Sequence, residues 1–222
     1  MPHDSWPIIF LGGSVANFQR GFDSINVPSV LTTLVTDELN FPNLSMVGVD
    51  DRAAAYTAVD YLIRQGHRKI AVLGGPVTSY PSVMRRKGAQ QAMEDAGIVF
   101  NDKLYGLSNY DFESAYHAMN SLLARRAEFT ALFAMSDVIA FGAIRALVSA
   151  GLRVPEDVSV IGFDGITMSR YCVPVMTTIV QPSEQIALQS IELLVRQIEH
   201  GSPAQTVTLQ PELQQGESVR AI

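Results

Sequence analysis

Arg85, in the run Arg85-Arg86-Lys87-Gly88, carries a planar guanidinium suited to a two-pronged bond with a carboxylate or with paired hydroxyls. A basic triplet near a helix start opposes the helix dipole, so it calls for another partner. Asp164 closes the apolar run Val158-Ser159-Val160-Ile161-Gly162-Phe163. A carboxylate at the end of such a run costs desolvation unless it binds something. Gln181, just after Thr177-Thr178-Ile179-Val180, brings both a donor and an acceptor. Phe112 follows Tyr110-Asp111 at a helix opening, where a ring either offers a flat face to a sugar or base or staples the helix. Ser136-Asp137 opens another helix, and by itself this pair reads as an ordinary N-cap.

These groups do not compose an active site. His67 sits beside Gly66 at a helix stop, His117 falls mid-helix, His200 falls at a helix end and His3 lies in the N-terminal tail. None is placed as the partner of a nucleophile or a metal. Cys172 is the single cysteine, and between Tyr171 and Val173 it reads as a small buried residue. A Gly-Lys-Ser/Thr phosphate loop and a Gly-x-Gly-x-x-Gly fingerprint are both absent from the sequence. The expectation is binding without chemistry: not an enzyme, with no metal site and no cofactor.

The elements that must position these residues are short β-rich runs alternating with helical patterns. Ile8–Leu11, Ser29–Leu31, Met46–Val49 and Ile70–Leu73 read as strands, and Arg52–Gln65 as a helix stopped by Gly66-His67. A helix over Ser82–Ala96, a weak strand near Leu104–Leu107 and a helix over Phe112–Arg126 follow. Next come the strand Ala131–Ala134, a helix from Ser136 to Ala150, and strands Val158–Phe163 and Thr177–Val180. A helix from Ser183 to His200 and a strand-like tail from Thr206 complete the chain. Runs apolar on both faces suit a parallel sheet covered by helices on both sides. Repeated units of this kind imply a doubly wound α/β architecture, whose ligands collect at the carboxyl ends of the strands.

The chain has 222 residues, enough for one large domain or two small ones. A hydrophobic share of 47% and a charged share of 17% exclude a disordered or fibrous chain. The formal charge of −6 argues against a chain whose task is to coat DNA or anionic membrane. One cysteine fits a reducing cytosol. Met1 to Trp6 lacks the basic and apolar regions of a signal peptide, and no run approaches 18 apolar residues. Together these point to a cytoplasmic location with no membrane partner.

Three long motifs in register carry a family resemblance. They are Gly151-Leu152-Arg153-Val154-Pro155-Glu156-Asp157-Val158-Ser159-Val160-Ile161-Gly162-Phe163-Asp164, Leu62-Ile63-Arg64-Gln65-Gly66-His67-Arg68-Lys69-Ile70-Ala71, and Thr177-Thr178-Ile179-Val180-Gln181-Pro182. From about Ile8 to Val219 the chain resembles the effector-binding core of LacI/GalR-type bacterial regulators, whose fold is shared with periplasmic sugar-binding proteins. The resemblance implies two doubly wound parallel-sheet lobes of the periplasmic-binding-protein-like type I, joined by three crossovers, with a small ligand held between them. One lobe is expected over residues 1–64 and 181–204, the other over 65–180 and 205–222. Carried over residue by residue, it makes Arg85 the ligand-clamping arginine and Asp164 the carboxylate for hydroxyls or base nitrogens. Phe112 becomes the stacking ring, and Gln181 the crossover residue that reaches the pocket. Ser136 stands where several sugar binders carry Asn, Thr33 where many members carry Asp, and Gly216 where Arg is common.

The resemblance also implies that Ile8–Gly13 is the third strand of the first lobe. The family's helix-turn-helix, its hinge helix and two βα units would then be lacking, and a sheet edge would lie open. Residues 1–63 carry only Arg20 and Arg52 against Asp4, Asp23, Asp37, Glu38, Asp50, Asp51 and Asp60, which leaves no footprint for DNA there. The implied function is the ligand-sensing domain of a dimeric regulator. Its effector would be a sugar, with a nucleoside or purine as the second candidate, and operator DNA would be reached only through the missing head. The alternative is a periplasmic sugar-binding protein of an ABC importer.

Overall fold

A computed structural model describes residues 6–126 and 128–222. The chain divides into two compact units, Met1–Asp50 with Pro182–Gln210 and Asp51–Gln181 with Pro211–Ile222.

Unit 1 holds strands β1 (Ile8–Leu11), β2 (Ser29–Thr32) and β3 (Leu44–Val49), with helix α1 (Val15–Gly21) between the first two. Helix α6 (Ser183–His200) and strand β9 (Thr206–Leu209) return to the same unit. Its sheet runs β1-β2-β3-β9 with every neighbour parallel. Alternation along the strands sends Phe10 to one face, where it meets Phe18 at 4.9 Å and Phe22 at 6.0 Å. On the other face Val30, Val47 and Val49 pack with Ile186, Leu193 and Leu194 of α6. Among the described residues β1 pairs with β2 alone.

Unit 2 holds α2 (Asp51–Arg64), β4 (Ile70–Gly74), α3 (Tyr80–Asp95), β5 (Tyr105–Leu107), α4 (Phe112–Ala124), β6 (Ala131–Ala134), α5 (Asp137–Ser149), β7 (Ser159–Asp164), β8 (Thr177–Val180) and β10 (Glu212–Gln214). The sheet order is β10-β8-β7-β6-β4-β5, with only β10 antiparallel. The chain steps outward from β4 to β5, then back across to β6 and β7. Right-handed crossovers therefore put α3, with α2 packed on it, on one face and α4 with α5 on the other. Both faces are covered, and the strands β4 and β6 between them are buried throughout.

The division differs from the sequence expectation at two elements. Residues 51–64 were expected in the first lobe, but α2 packs on α3, β6 and β8. The strand after residue 205 was expected in the second lobe, but β9 pairs with β3 from Met46↔Thr206 to Val49↔Leu209. A helix packs where its apolar face finds a partner, and chain order does not reveal which sheet supplies one. Helix α1 was not anticipated at all: seven residues beside Gly12-Gly13 and Gly21 give too short a period to read.

His67 fastens the end of the chain to unit 2. Its Nε2 donates to the Arg220 carbonyl at 3.1 Å, so Nδ1 accepts from the Thr130 hydroxyl at 2.9 Å. Burial pushes its pKa below the ordinary 6.5.

Candidate functional site

The reversal of strand order in unit 2 falls between β4 and β6, where the loops leaving neighbouring carboxyl ends diverge. Arg85 reaches this point. Helix α3 begins at Tyr80 with Pro81 in its first turn, so the basic triplet lies in the second turn and not at the helix start. Acidic neighbours govern Arg85 in place of the dipole. It is 6% exposed, as is Asp51. Its Nε donates to Asp51 Oδ1 at 2.7 Å, and Nη1 donates to the Met135 carbonyl. Nη1 also lies 3.5 Å from Asp164 Oδ1, and the guanidinium covers the Phe163 ring at 3.6 Å from its centroid. Burial works against the charged guanidinium, but Asp51 and Asp164 outweigh it and raise its pKa.

Gln181 completes the group by donating from Nε2 to Asp164 Oδ1 at 2.7 Å. Burial pushes the Asp164 carboxyl above its ordinary value, while Arg85 and Gln181 pull the other way. The arrangement is a charged arginine between two carboxylates at a sheet's carboxyl edge. Asp164 Oδ2 carries none of these bonds. Such a group can take paired hydroxyls or a ring N–H, and it contains no nucleophile with an adjacent base.

Of the residues singled out in the sequence, Arg85, Asp164 and Gln181 come together. Ser136 is used as the N-cap of α5, its Oγ accepting from the Ile139 N–H at 3.1 Å. Phe112 stands half-exposed at the start of α4, its ring 6.4 Å from that of Phe141; none of the contacts above joins it to Arg85. Thr33 follows β2 with φ 65°, a left-handed backbone that strains a β-branched residue.

Sequence reasoning missed three members. Asp51 opens α2, beyond the strand that carried attention, and no local signal ties it to a residue 34 positions later. Tyr110 donates to or accepts from Ser82 Oγ at 2.6 Å, and it explains Gly75: a Cβ there would lie 2.1 Å from the Tyr110 ring. Asp137 was read as half of a cap pair, yet it is fully buried and bonded to two other segments. Burial pushes its pKa up to about 6, against the hydrogen bonds from Thr178 and Ile166 that favour the carboxylate.

Fold and site together define a doubly wound binding protein of the periplasmic-binding-protein-like class, and comparison with known proteins agrees. Residues 59–219 match the family described as periplasmic binding protein-like domain. The regulator MalR of Clostridium butyricum is 37% identical over 213 residues, covering 95% of this chain and 64% of its own length. Among solved structures, a sugar-binding transcriptional regulator of the LacI family from Escherichia coli, complexed with phosphate, superposes with a TM-score of 0.82. It is 30% identical over 97% of this chain and 77% of that one. The regulator CelR in complex with cellobiose gives a TM-score of 0.85 at 31% identity, over 95% of this chain and 64% of that one. The chain belongs to the LacI-type regulators, of which it represents the effector-binding core. It spans less than two thirds of the length of the curated regulators it resembles.

Proposed function

We propose that this chain is the ligand-sensing domain of a cytoplasmic LacI-type transcriptional regulator. It binds a small effector, a sugar as first candidate and a nucleoside or purine as second, and converts no substrate. Arg85, Asp164 and Gln181 hold the effector's hydroxyls or ring nitrogens, Phe112 stacks on its ring, and Ser136 contributes a short polar contact. Occupancy controls operator binding through a DNA-reading head in a homodimer of the whole protein. In this reading the two lobes correspond to the two compact units of the chain, which differ from the ranges expected from the sequence in α2 and β9.

The observation that carries this reading is the Arg85–Asp164–Gln181 group at the carboxyl edge of a parallel sheet. A guanidinium and a carboxylate held 3.5 Å apart present a donor and an acceptor side by side, which is what a vicinal diol requires. Arg85 is also set by a second carboxylate, so the ligand meets a preorganised group. The regulator names and the cellobiose complex among the relatives favour this reading over an importer's binding protein.

Titration calorimetry of the full-length protein against cellobiose, maltose, cytidine and hypoxanthine tests the proposal. One of the four is expected to bind, and Asp164→Ala is expected to weaken it by about 10-fold or more, as for a lost charge-assisted bond. Failure of all four to bind, or undiminished binding by Asp164→Ala, overturns it.

A further inference from the structure

Asp137 lies one residue inside α5, behind the Ser136 cap, and its side chain crosses the sheet edge to touch two other segments. Oδ1 accepts from Thr178 Oγ1 on β8 at 2.6 Å. Oδ2 accepts from the Ile166 N–H, just past the end of β7, at 2.9 Å. The path between them runs directly over Gly162 of β7, where an added Cβ would stand 2.2 Å from Oδ1. Any side chain at 162 would displace the carboxylate.

The segment enclosed by these contacts is Phe163-Asp164-Gly165. Asp164 has a φ of 110°, a strained conformation that L-residues rarely adopt and that persists only where the surroundings impose it. Two bonds do so here. The Gln181 N–H donates to the Asp164 carbonyl at 3.0 Å, and Asp137 holds the amide two residues on. The same segment carries the Phe163 ring beneath Arg85 and the Asp164 carboxylate beside it.

We propose that Asp137 is a positioning residue for effector recognition: by holding the Ile166 amide and the Thr178 hydroxyl through the space Gly162 leaves, it locks the strained Asp164 turn so that the Asp164 carboxylate stands against Arg85. The role in recognition rests on the effector reading above; the positioning of Asp164 does not. A cap role would be served by Ser136 alone, and a purely packing role would be served better by an apolar side chain than by a fully buried carboxyl. The charged groups facing Asp137 are Asp164 of β7, with Arg85 of α3 paired to it, and the Cys172 thiol, whose titration Asp137 and Glu217 both hinder.

The test needs no ligand. In the 222-residue chain labelled at Asp carboxyl carbons and at Arg nitrogens, NMR follows the Asp164 carboxyl and the Arg85 Nε–H against pH. The wild type is expected to show a step at both reporters near pH 6, where Asp137 titrates. Asp137→Asn keeps an acceptor for the Ile166 amide and lets the Thr178 hydroxyl turn round, so it is expected to abolish that step while leaving both signals near their wild-type positions. Asp137→Ala releases the turn, and the Asp164 midpoint is expected to move by about half a pH unit or more. A folded Asp137→Ala whose Asp164 midpoint and Arg85 signal match the wild type overturns the proposal. If Asp137→Ala does not fold, Thr178→Val decides: removal of one donor must raise the Asp137 midpoint and carry the Arg85 step with it, and an unmoved step overturns the proposal. A cellobiose titration of the wild-type full-length protein reads the effector assignment separately.

Discussion

Unit 2 and unit 1 are built from the same parallel strands and crossovers, yet they treat their apolar residues differently. In unit 2 each sheet face carries a helix pair, and the packing is close enough to need glycine. A Cβ on Gly142 of α5 would lie 2.5 Å from the Phe112 carbonyl and 2.7 Å from Ala115 Cβ. In unit 1 the face beneath α6 is covered only in part. Ile9 and Leu11 register with Val30 and Thr32, so they point to the α6 side, and Leu11 is 88% exposed. Helix α6 itself shows Leu188, Ile191, Val195 and Ile198 to solvent, on the side away from the residues it buries. The i, i+3, i+7, i+10 spacing makes these one strip. Unit 2 shields both faces of its sheet with helix pairs and carries polar groups at one edge, leaving exposed apolar residues such as Val77, Val99 and Val173 in its loops; unit 1 leaves an apolar strip along α6 and, among the described residues, a strand β1 paired on one side alone.

That contrast can be broken in four ways, taken from the largest effect down. Arg85→Met strips the counter-charge from buried Asp51 and from Asp164. The expected loss is about 3–5 kcal/mol, seen as faster hydrogen exchange over β4, β6 and β7 with β2 and β3 unchanged. Equal loss in both units would mean the ion-pair group does not belong to unit 2's stability alone. Gly142→Val should force α4 and α5 apart at a cost of about 1–3 kcal/mol, readable as a lower denaturant midpoint; an unchanged midpoint would show that the helix pair tolerates separation.

The third concerns pH. His67 is buried with a depressed pKa, so its neutral form belongs to the folded state. Its contribution is fully present above pH 6.5 and is lost as the pH falls through 6.5 towards the depressed folded value. Asp137 has the opposite sign, its folded pKa being raised to about 6. Stability linked to it is fully present below pH 3.8 and is lost as the pH rises from there through about 6. Denaturation series on His67→Gln and Asp137→Asn should therefore differ from the wild type with opposite slopes as the pH falls below about 6, where the two windows overlap. Matching slopes would contradict the buried environments described. Among the described residues of unit 1 the only histidine is the exposed His200, so its hydrogen exchange should lack the His67 effect. The smallest change is Ile191→Lys on the exposed strip of α6, expected to stay within about 0.5 kcal/mol while reducing self-association in sedimentation. The same substitution at fully buried Ile139 of unit 2 should abolish folding.

Much of this arrangement was legible from residue order. Strands over Ile8–Leu11, Ala131–Ala134 and Thr177–Val180 end where their apolar runs end, and Ser136 caps the helix it announces. Arg85, Asp164 and Gln181 drew attention because each is a polar group placed just beyond an apolar run or inside an unbalanced basic one. Asp51 and Tyr110 did not. An acidic residue at a helix start and a tyrosine before one each have an ordinary local explanation, and their real partners, Arg85 and Ser82, lie tens of residues away.

The sequence by itself determined the periodicity, the alternation of strand and helix, and three of the residues that cluster. Those properties are local, because hydrophobic spacing and turn chemistry act within a few residues. Only the tertiary structure decided which sheet receives α2 and β9, that Asp51 is the first partner of Arg85, and that Asp137 reaches past Gly162 to hold the Asp164 turn. Each of these is a contact between segments brought together by packing, and chain order carries no direct record of it.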